Sequence, residues 1–472
     1  MQLELVLLVD FGSTYTKVAA IDLNDGIILG NAQSPTTIES DVAIGFGKAL
    51  EVLEKKTGID PGHACAHYAC SSAAGGLKIA AIGLVPSLTL EAARRAALGA
   101  GAKIVANHGY ELDDGTVTSI ERMHCDIILL CGGTDGGNNK VILHNASKLA
   151  ASSVTCPVIV AGNRTVASRV SEILKTAGKK TYVTENVLPA TDTLNVAPAQ
   201  ALIRDIFIEH IIHAKGLTAV QSSLDKPIIP TPMASLLAAT LLADGSGDTS
   251  GIGSLLVVEV GGATVNIHSV LENTPITTQT ILRGLPESRI KRTVEGDLGI
   301  RWNAQTILET VGEASLAEEL ASIYPVGKGS GDFSVYTQLL HDTVEYLPLN
   351  ELEAAMDIAL ARSAVRNAVA RHAGTLKTEW SINGEVQIQT GKNLLTVNNI
   401  LGTGGVFSHS ASAGQILSAA LYSEKMPWSL RPQKPKFYLD AHYLMYGIGL
   451  LSQEHPERAL RIAKKYIKPV TP

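Results

Sequence analysis

The chain has 472 residues, 45% of them hydrophobic and 18% charged, with 43 glycines and only 4% aromatics. This balance supports a buried core shared among two to four domains of roughly 150 residues, and it excludes wholesale disorder. A net charge of −6 without a basic block argues against nucleic acid as a partner. The first twelve residues carry Glu4 and Asp10 and no basic region, so they do not read as a signal peptide. No apolar run reaches the ~20 residues that span a bilayer, so no membrane association is expected. Five cysteines without CxxC spacing fit a reduced cytoplasm better than a disulfide framework.

In chain order, residues 5–22 read as a buried strand, an acid (Asp10), a tight turn (Gly12-Ser13-Thr14) and a second strand. A turn of small residues lets backbone N–H groups approach an anion, and the hydroxyls of Ser13, Thr14 and Thr16 and the charge of Lys17 add to it. Asp10 is suited to hold a hydrated Mg²⁺ beside phosphates. Taken alone, the turn is equally consistent with an ordinary polar hairpin. A capped helix follows Asp41, and residues 63–71 read as a strand. There His63, Cys65 and His67 share a face that Cys70 does not, so a metal site is not expected.

Residues 77–185 alternate apolar strands with helices, the pattern of a mainly parallel sheet. The loop from Cys131 to Gly137 lies at the carboxyl end of an apolar strand, where such sheets bind ligands, although a tight turn that merely needs positive φ values explains it somewhat better. Residues 186–198 read as a linker. His210 and His213 sit three apart on a helix and read as a surface or interface pair, not a metal site. Pro230-Thr231-Pro232 opens another helix, and residues 245–253 form a glycine-rich loop.

The first pattern then returns in residues 255–270, LLVVEVGGATVNIHSV: strand, acid (Glu259), Gly261-Gly262-Ala263-Thr264, strand. A basic stretch with Arg283, Arg289, Lys291 and Arg292 reads as solvated charge. Asn350 caps a long helix, and Asn383-Gly384 marks a hairpin. Residues 399–407, NILGTGGVF, lead an apolar strand into the loop Gly402-Thr403-Gly404-Gly405.

Two acid–glycine hairpins, a glycine loop, and helical connections after Pro230 and Asp440 come in an order that resembles the actin/Hsp70/sugar-kinase ATPases. The resemblance implies an α/β fold of two duplicated ribonuclease-H-like lobes clamping ATP and Mg²⁺. The first lobe would span residues 1–240, with an α/β insertion around 77–198, and the second 241–472. The implied nucleotide ligands are Gly12, Ser13, Thr14, Thr16, Lys17, Gly261, Gly262, Ala263, Thr264, Gly402, Thr403, Gly404 and Gly405. Asp10 and Glu259 are the implied catalytic acids, and Asp10 the metal-water ligand.

LLVDFGSTYTKVAAIDL, DIILLCGGTDGGNN, CPVIVAGNRTVASRV and DAHYLMYGIGLL resemble more specifically the glutamate mutase (methylaspartate mutase) accessory protein family. That resemblance implies partnership with adenosylcobalamin-dependent mutase subunits. By analogy with other cobalamin reactivating factors, it also implies the use of ATP to eject damaged cofactor. Two departures bear on hydrolysis: the hairpin pattern Asp-x-Gly-Gly-x-Thr-Thr-Asp carries Glu259 and Asn266 at its acid positions. Nucleotide binding is therefore a firmer expectation than rapid hydrolysis, and a non-hydrolysing assembly partner is the alternative. A small-molecule kinase would need a general base, and no residue answers to one. An iron–sulfur activator would need paired cysteines at a dimer seam, which Cys125 and Cys131, spaced along one strand, do not supply. A mutase is not expected either, since Asp440-Ala441-His442 continues without the glycine of the Asp-x-His-x-x-Gly cobalamin-ligand pattern.

Overall fold

The computed structural model describes residues 3–12, 15–37, 41–71, 77–214, 220–222, 224–324, 331–382 and 384–471. They divide into two compact units. One comprises Met1–Ser235 with Gly284–Pro286 and Gly449–Gln453; the other comprises Leu236–Arg283, Glu287–Ile448 and Glu454–Pro472.

In the first unit, β1 (Leu5–Phe11), β2 (Tyr15–Asp22), β3 (Ile27–Pro35) and β4 (Ala66–Ser71) form a sheet. β1 is buried at every residue, as expected of a central strand covered on both faces. It runs antiparallel to β2 and parallel to β4. The helix Val42–Thr57 packs on this sheet: Asp41 accepts a hydrogen bond from Ala43 N–H at its start, and Gly58 ends it at φ 71°. His63 falls in a 3₁₀ turn, and Cys65 precedes β4 instead of lying in it.

Next comes a second sheet: β5 (Lys78–Gly83), β6 (Lys103–Gly109), β7 (Ile127–Leu130), β8 (Val158–Val160) and β9 (Thr181–Val183). All its pairings are parallel, in the order β6-β5-β7-β8-β9, a doubly wound module inserted into the unit. Residues 186–188, read as linker, are instead buried: Asn186, Val187 and Leu188 all lie inside. The chain then returns through β10 (Ile229–Pro230), which completes the order β3-β2-β1-β4-β10.

The second unit repeats the plan. After the small hairpin of β11 (Gly245–Ser246) and β12 (Thr249–Ser250), which replaces the expected loop, come β13 (Leu255–Val260) and β14 (Val265–Val270). They are followed by β15 (Ile281–Arg283) and β16 (Ile290–Glu295), and later by the peripheral hairpin of β17 (Thr375–Ser381) and β18 (Gly384–Thr390). β19 (Asn399–Thr403), β20 (Lys436–Leu439) and β21 (Lys468–Val470) finish the main sheet, ordered β16-β14-β13-β19-β20-β21. Numbered within each unit, both main sheets share the order 3-2-1-4-5, with the first three strands antiparallel and the fourth and fifth parallel to the first. This is the expected duplicated ribonuclease-H-like architecture of the actin/Hsp70/sugar-kinase fold. Asn350 caps the helix Glu351–His372, whose buried alanines, Met356, Leu360, Val365 and Val369 cover one face of the second sheet. Among the described residues, no helix is long and apolar enough to cross a membrane.

Candidate functional site

The two hairpins are copies of one geometry. In the first, Gly12 N–H donates to Tyr15 C=O at 3.1 Å; in the second, Gly261 N–H donates to Thr264 C=O at 2.9 Å. Asp10 and Glu259 each lie two residues before that glycine, at the carboxyl end of the central strand. Ser13 and Thr14 lie outside the described residues.

Asp10 is buried, and its Oδ1 accepts a hydrogen bond from Thr231 Oγ1 at 2.7 Å. The Cys70 thiol lies 3.5 Å from the same oxygen, and Thr231 Oγ1 is 3.4 Å from Cys70 Sγ. Register explains the convergence: Asp10 pairs with Cys70 across β1 and β4, and β10 delivers Thr231 beside them. Lys17 stands directly opposite Asp10 on β2 and shares its face of the sheet. Thr16 is fully buried, with Oγ1 3.1 Å from Thr36 Oγ1, so its hydroxyl ties β2 to the segment that follows β3.

In the second hairpin the turn carbonyls are all engaged. Gly261 O accepts from Ile300 N, Gly262 O from the N–H groups of Arg301 and Trp302, and Ala263 O from Asn303 Nδ2. The N–H groups of Gly262 and Ala263 donate to no acceptor among the described residues. A turn with its oxygens strapped back and its N–H groups free is a backbone anion cradle. Gly404 closes on the same region: at φ 108° its absent Cβ would lie 2.2 Å from Val260 O. The Gly402–Gly405 loop is thereby held beside the second hairpin, with Thr403 Oγ1 donating to buried Asp440 at 3.0 Å. Burial raises the Asp440 pKa, opposed by backbone N–H donors at Leu444 and Met445.

Glu259 has company that the sequence reading missed. Asn266 Nδ2 donates to Glu259 Oε2 at 3.3 Å, and His268 Nε2 lies 3.5 Å from that oxygen. Arg292, expected in solvent, is buried and donates to Asn266 Oδ1 at 3.0 Å. Strand alternation places these side chains on one face, since Glu259 pairs with Asn266 and His268 with Arg292. Burial lowers the His268 pKa despite Glu259, and lowers that of Arg292 to about 10. At neutral pH the His268 imidazole is therefore uncharged, while Arg292 keeps its guanidinium charge. The other basic residues of the stretch are paired: Arg283 with Glu379, Arg289 with Asp244, and Lys291 with Glu287.

The family model described as "MutL protein" matches residues 6–467. The chain belongs to the MutL protein family. A curated relative in the family, Protein MutL of Clostridium tetanomorphum, is 44% identical over 461 residues, covering 98% of each chain. Among solved structures, nucleotide-free acetone carboxylase is similar at 13% identity and TM-score 0.39, over 96% of this chain and 70% of that one. The activator of 2-hydroxyisocaproyl-CoA dehydratase from Clostridium difficile, solved with bound ADPNP, is similar at 9% identity and TM-score 0.32, covering 99% of this chain and all of that one. Xylulose kinase from Lactobacillus acidophilus is similar at 12% and 0.36, covering 99% and 93%. For this MutL family member, no three His, Cys, Asp or Glu side chains converge on a metal by themselves among the described residues. One or two carboxylates completed by phosphate oxygens are what a Mg²⁺–nucleotide site requires.

Proposed function

We propose that this chain binds ATP with Mg²⁺ and serves as an accessory, reactivating protein for an adenosylcobalamin-dependent amino-acid mutase of the glutamate mutase or ornithine aminomutase kind. The observation that carries the nucleotide assignment is the free pair of N–H groups at Gly262 and Ala263, set in a hairpin that duplicates Gly12–Tyr15. In this reading Gly12, Ser13, Thr14, Lys17 and Gly261–Thr264 take the phosphates, and Gly402–Gly405 takes the adenosine. Asp10 holds water of the Mg²⁺ shell, and the ion neutralises phosphate charge. Membership of the MutL family supports the accessory role. Radical chemistry occasionally destroys the adenosyl group, and a nucleotide that binds two conformations of the accessory protein with different affinity can drive release of the dead cofactor.

A second reading is an assembly partner that binds ATP without hydrolysing it. The network on Glu259 favours it, because Asn266 already bonds one oxygen of the carboxylate that a fast hydrolase would offer to metal-bound water, with His268 3.5 Å from the same oxygen. Rescue separates the two. A mutase inactivated with hydroxocobalamin should regain activity with this protein, Mg-ATP and fresh adenosylcobalamin. Rescue with ATP alone supports the reactivase, and rescue with a non-hydrolysable analogue over many turnovers supports the assembly partner. Failure with every mutase encoded nearby would defeat both.

A further inference from the structure

The inserted module contains a thiol pair that neither reading uses. Cys125 precedes β7 and Cys156 precedes β8, and the two strands pair in parallel with Ile128 opposite Val158. Ile128 N–H donates to Pro157 C=O at 3.0 Å, which fixes the amino ends of the strands side by side. The two sulfurs lie 3.6 Å apart across 31 residues of sequence. Both cysteines are half-buried at the rim of the module's core. The other three differ. Cys70 and Cys131 are fully buried, and exposed Cys65 directs its thiol to Leu5 C=O at 3.1 Å.

We propose that Cys125 and Cys156 are a thiol modification site, closing to an intramolecular disulfide on exchange with a small-molecule disulfide and reopening with thiol reductant. The sulfurs, already 3.6 Å apart, must close to the bonding distance of about 2 Å. Either thiol can open the exchange, because the S–H···S contact between them works with either sulfur as donor.

One of the two, as thiolate, attacks one sulfur of the external disulfide and expels a thiolate, giving a mixed disulfide. The other thiol yields its proton to that thiolate, and its sulfur then displaces the second external thiolate from the first. Two protein thiols are oxidised by two electrons, and one external disulfide is reduced to two thiols. The closed loop contains β7, the Cys131–Gly137 glycine turn and the helix Lys140–Ala151, so the crosslink braces the segment that bears the module's ligand-end loop.

The test uses the full chain, reduced, freed of reductant and exposed to oxidised glutathione. Remaining thiols are blocked with N-ethylmaleimide and the peptides mapped by mass. The proposal expects two fewer blocked thiols, joined peptides 123–140 and 149–164, and full reversal with dithiothreitol. Cys156→Ser should stop at a glutathione adduct on Cys125, while Cys65→Ser should leave the crosslink unchanged. Five reactive thiols after exposure, a lasting adduct on Cys125 in the wild type, or crosslinks through other cysteines or between chains would each overturn it. The wild-type peptide map decides even if a variant fails to fold.

Discussion

Thr231 Oγ1 donates a hydrogen bond to Asp10 Oδ1 at 2.7 Å across 221 residues of sequence, with both groups buried. Thr231 is the first residue of the helix Thr231–Asp244, so the acid assigned to Mg²⁺ and the helix leaving the sheet are bonded to each other. Thr231→Val keeps the shape and removes the donor. A hydrogen bond to a charged group contributes about 2 kcal/mol, and denaturant unfolding should register that loss. Asp10→Asn tests the other half. Calorimetry should show Mg-ATP affinity at least ~10-fold weaker, or ~1.4 kcal/mol, with Mg-free ATP affinity little changed. Equal loss with and without Mg²⁺ would remove Asp10 from the metal assignment.

Two glycines of the cradle should respond differently. A Cβ on Gly262 would meet only the Arg301 side chain, with Cβ at 3.4 Å and Cγ at 3.7 Å, so Gly262→Val should fold normally while its side chain stands among the free N–H groups. Nucleotide affinity should fall ~100-fold, or ~2.7 kcal/mol, at an unchanged thermal midpoint. Gly404→Ala, at φ 108° and 2.2 Å from Val260 O, should instead lower the midpoint itself. A Gly262→Val protein that binds ATP normally would dismiss the cradle.

Much of this was legible in the sequence because strands alternate. The acid–glycine spacing located both hairpins, and the period of two already placed His268 on the face of Asn266, a signal that the motif comparison passed over. Thr231 was visible only as part of a helix opening, since nothing local says that β10 delivers it to Asp10. Arg292 looked like solvated charge because its partners come from β14, which only the pairing register brings to it. Lys392 is a stronger case. It is fully buried, with Nζ donating to the carbonyls of Leu271, Ser288 and Arg289, and no linear pattern announces a lysine whose acceptors are all backbone.

Two buried histidines set an acid limit on stability. His372 bridges Ser269 Oγ at 2.8 Å and Thr293 Oγ1 at 2.9 Å. Burial, with Lys291 adding to it, holds its pKa well below the ordinary 6.5, and burial also lowers that of His268. Below pH 6.5 the unfolded chain takes up protons that the folded chain refuses, so stability rises with pH through that window and falls on acidification. Each histidine contributes up to ~1.4 kcal/mol per pH unit. Thermal midpoints should therefore drop between pH 7 and pH 5, and His372→Gln should flatten the slope. An identical slope in that variant would assign the acid sensitivity to other groups.

The Glu259 network makes the sharpest statement about hydrolysis. Asn266 uses its amide in both directions, accepting from Arg292 and donating to Glu259. Asn266→Asp keeps the acceptor for Arg292 and loses the donor, leaving two carboxylates within about 3.3 Å. Like charges that close disfavour joint ionisation, so one pKa rises, and a shift of one unit costs ~1.4 kcal/mol. A divalent cation relieves that repulsion. The variant's thermal midpoint should thus sit below the wild type's without Mg²⁺ and climb more steeply as Mg²⁺ is added. Adding Glu259→Asp draws the first acid back by one methylene and gives both acid positions of the hairpin their aspartates. If those acids limit hydrolysis, steady-state ATP turnover of the double variant should rise at least ~10-fold, a barrier change of ~1.4 kcal/mol. Turnover that stays flat while the Mg²⁺ dependence of the midpoint changes as expected would show the metal pair formed and hydrolysis limited elsewhere, which would put the assembly-partner reading first.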